Sequence, residues 1–228
     1  MLTSDAETGV RGAKPAVQTR SQETRDKLIA ALDGLLQERD FATITVAEIA
    51  ARAGVSVASI YQRFGNRKAA VSILIELYLL RVTSWATASP NRPDTGGLTL
   101  RAALERVAVS AWQQFEELRY VMAPAYLQSR LHPEQLGDHW RETEALAEQG
   151  FRQLLAAHEV EIDHPDLDRA AAMIAYLYNM MFLGRLLHPG GMASWDLPTT
   201  AEGFAAEVAD LACGYLRARA TPEPGPRP

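Results

Sequence analysis

The sequence predicts an all-α chain of about nine helices: an N-terminal three-helix unit carrying a helix-turn-helix, then a longer helical body. Three observations predict it. Apolar residues recur at helical spacing from Ser21 to Arg219, with no strand-like alternation of apolar and polar residues. The stretch Thr45 to Phe64, TVAEIAARAGVSVASIYQRF, has the signals of two short helices joined by a tight turn. Clusters of Pro, Gly, Asn and Asp break the rest of the chain into helix-sized pieces.

Residues 1–18 are polar, hold Gly9, Gly12 and Pro15, lack an apolar period, and read as a disordered tail. A first helix begins near Ser21, with Leu28, Ile29, Leu32, Leu35 and Leu36 as its core stripe. Phe41 and Ile44 close the small core. Thr45 followed by Glu48 is a capping box, in which hydroxyl and carboxylate each satisfy an orphan amide at a helix start. Ile49, Ala50 and Ala53 share one face of the second helix, and Gly54 ends it by reaching the left-handed backbone cheaply. Ser56 caps the third helix, whose Ile60 and Phe64 repeat at i, i+4. Ala50 before the turn and Ile60 after it let the two helices pack closely, with Val55 at the corner. A helix-turn-helix presents its second helix to a major groove in this way.

A fourth helix is expected from an Asn66 cap to about Trp85, followed by a loop over Pro90–Gly97. Further helices are expected over about 99–118, 122–130 (with Pro124 in its first turn), 133–158, 166–188 and 200–219. Residues 220–228, TPEPGPRP, read as a second disordered tail. The eighth helix is apolar nearly all round, and the ninth has Phe204, Val208, Leu211 and Tyr215 on one stripe beside small residues. One protomer has too few helices to bury both, which predicts a two-fold homodimer through the helices near 166–188 and 200–219.

Thr45-Val46-Ala47-Glu48-Ile49-Ala50, Ala53-Gly54-Val55-Ser56, Ile60-Tyr61 and Phe64-Gly65-Asn66-Arg67 together resemble the DNA-binding domain of the TetR family of transcriptional regulators, over about Thr19 to Val71. The resemblance implies a domain division: a helix-turn-helix DNA-binding domain over 19–66 and a ligand-binding and dimerisation domain over 67–219. It also implies a repressor of double-stranded DNA with a two-fold operator, released by a small-molecule inducer that shifts the fourth helix. It implies no cofactor.

On the third helix, Val57, Ala58 and Gln62 lie on the free side. Gln62 can bond bidentately to an adenine edge or singly to other bases, and Val57 and Ala58 offer apolar contact. Ser59 and Tyr61 carry hydroxyls suited to phosphate, and Thr45 sits at a helix N-terminus, itself an anion site. Arg67 stands where the family usually has a phosphate-binding lysine. Arg63 either reaches DNA or pairs with a surface acid. Val57, Ala58 and Gln62-Arg63 depart from the family's usual residues, so the operator is expected to differ from those of relatives. In the body, Trp85, Trp112, Phe115, Met122, Tyr126, Phe151, Tyr176 and Asn179 are the candidates to line an aromatic pocket for an apolar ligand.

Charge agrees with contact through one face. The chain carries a net −5, yet Thr19 to Ala70 holds eight basic against six acidic residues, so the body is the acidic part. The single cysteine, Cys213, excludes an intramolecular disulfide and reads as a buried thiol. The five histidines form no HExxH or other i, i+4 helical pair, so no metal site is expected. No phosphate loop, GxSxG elbow or Cys–His nucleophile pattern occurs, and no catalytic residue is expected. The alternative class is an all-helical small-molecule-binding protein or enzyme without DNA-binding activity, which leaves the Thr45–Phe64 pattern without a purpose. The apolar runs at Val71–Leu80 and Ala170–Leu183 are broken by Glu76 and Asn179 and read as short for a membrane span. With no basic-then-apolar signal peptide, the expectation is a cytoplasmic protein.

Overall fold

The computed structural model describes residues 14–65, 68–88, 93–188 and 195–217. Those residues form nine α-helices and short 3-10 turns, with no strand among them. The helices are α1 (Lys14–Leu36), α2 (Val46–Ala53), α3 (Val57–Phe64), α4 (Ala69–Thr87), α5 (Leu100–Glu117), α6 (Arg119–Leu131), α7 (Asp138–Ala157), α8 (Leu167–Leu187) and α9 (Ala201–Arg217). The chain divides into two compact units, 1–77 and 78–228.

In the first unit, Leu28, Ile29, Leu32, Leu35 and Leu36 of α1 are all buried, as are Ile44, Ile49, Ala50 and Ile60. Each α1 residue in that stripe lies three or four positions from another, so one face of the helix supplies the core. Phe41, in a 3-10 turn over Phe41–Thr43, is only half-buried. Arg25 on α1 holds Glu76 on α4 at 2.6 Å, which gives that carboxylate a partner inside an otherwise apolar helix.

In the second unit, α5, α7, α8 and α9 share one core. Leu104, Leu155, Ile174, Phe182, Phe204, Val208 and Leu216 are buried in it. The Tyr178 hydroxyl donates to the Leu104 carbonyl at 2.9 Å. Buried His158 has Nδ1 2.9 Å from the Leu154 carbonyl and Nε2 3.0 Å from the Leu98 carbonyl. Cys213 is buried in the same core, which raises the pKa of its thiol.

Several boundaries differ from expectation, each for a local reason. Helix α1 starts at Lys14 rather than near Ser21, so residues 14–18 of the expected tail are helical; Pro15 falls in the first turn, where its missing N–H costs nothing. Helix α6 starts at Arg119, three residues early, so Pro124 lies inside the helix instead of in its first turn. The expected helix over 133–158 is split: a 3-10 turn over Pro133–Gln135 precedes α7, and Gly137 stands between them. Residues 1–13, the Asn66 cap, Arg67, and the tail over 220–228 lie outside the described residues.

Helices α4 and α8 reach 19 and 21 residues, longer than the apolar runs read from the sequence. By length and composition alone both are apolar enough to cross a membrane, which corrects the expectation that they are too short. Each nevertheless places residues in a protein core, Ile73 and Leu74 from α4 and Ile174 and Phe182 from α8.

Candidate nucleic-acid interface and cleft in the helical body

The turn between α2 and α3 is fixed by bonds that its own residues supply. The Thr45 hydroxyl accepts from the Glu48 amide at 3.3 Å, and the Glu48 carboxylate accepts from the Thr45 amide at 2.8 Å. The same hydroxyl donates to that carboxylate at 2.7 Å, and Arg39 donates to it at 2.7 Å. These bonds, the Thr45 hydroxyl's first, pull the Glu48 carboxyl down to about 2. Gly54 is left-handed at φ 67°. Its amide bonds the Ala51 carbonyl, and the Val55 amide bonds the Ala50 carbonyl, which ends α2 in a Schellman motif. Ser56 then accepts from the Ser59 amide at 3.1 Å and caps α3.

Capping orients α3. Ile60 is fully buried and Phe64 half-buried, so the opposite side of the helix is free. Ala58 and Gln62 are exposed there and Tyr61 flanks them at 38% exposure. Val57 is half-buried, nearer the core side than expected for a base contact. The Ser59 hydroxyl lies 2.7 Å from that of Ser56. The Thr45 hydroxyl is thus engaged in capping, and the Ser59 hydroxyl in a bond to the capping Ser56. Arg67 lies outside the described residues.

Arg63 pairs with a serine rather than with a surface acid. Its guanidinium donates to the Ser21 carbonyl at 2.9 Å and the Ser21 hydroxyl at 2.6 Å, and lies over the Phe64 ring. It ties α3 to α1. Arg52 is likewise held, at 2.6 Å from Glu38. Arg63 and Ser21 are far apart in sequence, so no local pattern announces the bond.

The second unit contains a cleft of about 560 Å³ between α6, the start of α7 and the second half of α8. Of the eight sequence-predicted residues, Tyr126 and Asn179 line it, joined by a 2.9 Å bond from the tyrosine hydroxyl to the amide oxygen. The Tyr78 hydroxyl lies 3.5 Å from that of Tyr126, and Trp140 packs on both rings with centroids 4.9 and 5.6 Å away. Burial raises the pKa of both tyrosine hydroxyls and keeps them protonated donors.

The other six stand elsewhere. Phe151 packs on Tyr178, and Phe115 on Phe182. Trp112 packs on Phe204 and carries the Arg185 guanidinium 4.1 Å above its ring. Met122 is buried. The Trp85 indole donates to Glu117 at 3.0 Å. Tyr176 is 62% exposed on α8. Trp140, Arg130, Arg141 and Glu144 also line the cleft.

Residues 28–71 match the family model for bacterial regulatory proteins of the tetR family. A comparison with curated proteins finds no match. Solved structures match along most of the chain. A protein of unknown function from Rhodococcus sp. RHA1 is 19% identical, with a TM-score of 0.60 over 93% of this chain and 100% of that one. The fatty acid degradation regulator FadR from Bacillus halodurans is 19% identical, with a TM-score of 0.57 over 86% of this chain and 97% of that one. A TetR transcriptional regulator from Rhodococcus sp. RHA1 is 16% identical, with a TM-score of 0.55 over 85% of this chain and 97% of that one. At these identities the likeness is one of fold. The matched segment, residues 28–71, is a helix-turn-helix of the tetR regulators' kind, and the rest of the chain shares the fold of those structures.

Proposed function

We propose that the chain is a homodimeric, cytoplasmic repressor that reads a two-fold operator in double-stranded DNA and is released by a small-molecule ligand. The observation that carries this reading is the capped α3, which turns Ala58, Tyr61 and Gln62 outward from a buried Ile60. Gln62 serves as the base reader, Tyr61 as a phosphate contact, and Arg67 as a second phosphate contact. Residues 19–66 form the DNA reader, and 67–219 bind ligand and dimerise. The dimer face is supported by Met173 and Tyr176, exposed at i and i+3 on α8, and by exposed Leu211 on α9. Four helices, two from each chain, cover those side chains.

Ligand enters the cleft of the second unit and displaces the Tyr126 hydroxyl from Asn179. Tyr126 contacts Tyr78, and Tyr78 is part of α4, whose first residues belong to the helix-turn-helix unit. A shift of α4 then alters the spacing of the two recognition helices, which two half-sites about 34 Å apart do not tolerate.

A gel shift against DNA flanking the chain's own coding region, at two salt concentrations, tests the reading. Binding weakens with salt. Tyr61→Phe weakens all sequences about equally, whereas Gln62→Ala changes base preference at one position by roughly 1–3 kcal/mol. A uniform loss from Gln62→Ala contradicts its role, and failure to select any duplex from a random pool refutes DNA reading altogether.

A further inference from the structure

The cleft has an apolar wall and a charged rim. Leu127, Met180 and Leu183 contribute the apolar side, while Arg130, Arg141 and Glu144 bring charge. The three charged groups are not equivalent. Glu144 already accepts from the Trp140 indole at 3.0 Å. Arg130 makes no ion pair among the described residues. Arg141 comes no nearer than 3.7 Å to Asp138, with both side chains almost fully exposed, a contact of little worth. Two guanidiniums therefore face one carboxylate, and that carboxylate is engaged.

We propose that the cleft takes an amphipathic carboxylate: an apolar body against Leu127, Met180 and Leu183, and one carboxylate head held by Arg130 and Arg141. The inference rests on the ligand-responsive reading above and narrows its ligand. A planar guanidinium offers two parallel N–H donors that match a carboxylate. A cationic head meets two like charges, and a neutral one leaves both forks without an anion. The cleft's volume lies within the usual range of small-molecule sites, about 300–1,000 Å³.

Calorimetric titration of the full chain with sodium decanoate, decanol and decyltrimethylammonium, each below its micellar concentration, tests the head group at constant chain length. Decanoate is expected to bind at least about tenfold tighter than either of the others. The double variant Arg130→Gln, Arg141→Gln, checked for unchanged helicity, is expected to lose that advantage while its decanol affinity stays the same. Decanoate binding no tighter than decanol, or undiminished decanoate affinity in the variant, overturns the proposal. If decanol then still releases the protein from DNA, the ligand-responsive reading survives and only the head-group assignment falls. If none of the three binds, the head-group assignment falls, and the gel shift decides DNA reading independently.

Discussion

Gly54 allows the helix-turn-helix to be tested by its backbone alone. Its φ of 67° and ψ of 33° are left-handed, and a Cβ built on it meets nothing within 4 Å. Replacing it with alanine therefore creates no clash. What remains is the conformational cost of a left-handed alanine, about 1–2 kcal/mol. Alanine also stiffens the unfolded chain, which returns about 0.4–1 kcal/mol. The net loss is about 0–1.6 kcal/mol. Asparagine visits the left-handed region more readily and loses less, while β-branched valine loses more. Amide exchange at Ile49 and Ile60, which bond the Thr45 and Ser56 carbonyls, reads the opening of this unit. Protection in Gly54→Ala falls by at most roughly fifteenfold, since about 1.4 kcal/mol is tenfold. Full protection in Gly54→Val refutes the left-handed turn. A loss in Gly54→Ala well beyond that range means that a neighbour fills the space.

Three other outcomes follow from the same geometry. Ile60→Ala removes a fully buried side chain from between α2 and α3 and costs about 2–5 kcal/mol, measured by the same exchange experiment. The Glu48 carboxyl is depressed from 4.5 to about 2, so its contribution is complete above about pH 4.5 and is lost as pH falls toward 2; Glu48→Gln flattens the dependence of α2 protection over that window. Tyr126→Phe removes the donor to Asn179, but water in the cleft can replace it, so the loss stays near 1 kcal/mol and the melting temperature drops about 2–4 °C, read by calorimetry.

Much of the helix-turn-helix was legible because its determinants are local. Thr45 bonds Glu48 and Ser56 bonds Ser59, each three residues away, and Gly54 closes on Ala50 and Ala51. Ile60 was legible as core by its spacing, and Gln62 as outward by the same helical period. The cleft was not legible, because an aromatic at helical spacing looks the same whether the next helix covers it or leaves a gap. Phe151 is covered by Tyr178, while Tyr126 borders a void, and the difference lies in how α6, α7 and α8 diverge. Arg63 was unreadable for a related reason: its partner, Ser21, is 42 residues away. Pro124 misled locally, since proline marks a first turn only when the preceding turn cannot be helical, and Arg119 to Ala123 are.

The pairing of charges in the first unit bears on how such a regulator discriminates. Four of its arginines already have partners: Arg25 is held by Glu76, Arg39 by Glu48, Arg52 by Glu38, and Arg63 by Ser21. Exposed pairs of this kind contribute little stability, yet each guanidinium must leave its partner before it can neutralise a phosphate. On the reading proposed above, these four arginines add little to counterion release, the part of binding that ignores sequence. Apart from Arg63, the outward groups of α3 are neutral: an amide at Gln62, a phenol at Tyr61 and a methyl at Ala58. On that reading, Gln62 gains only where a base edge meets it in register, so it adds discrimination rather than general affinity.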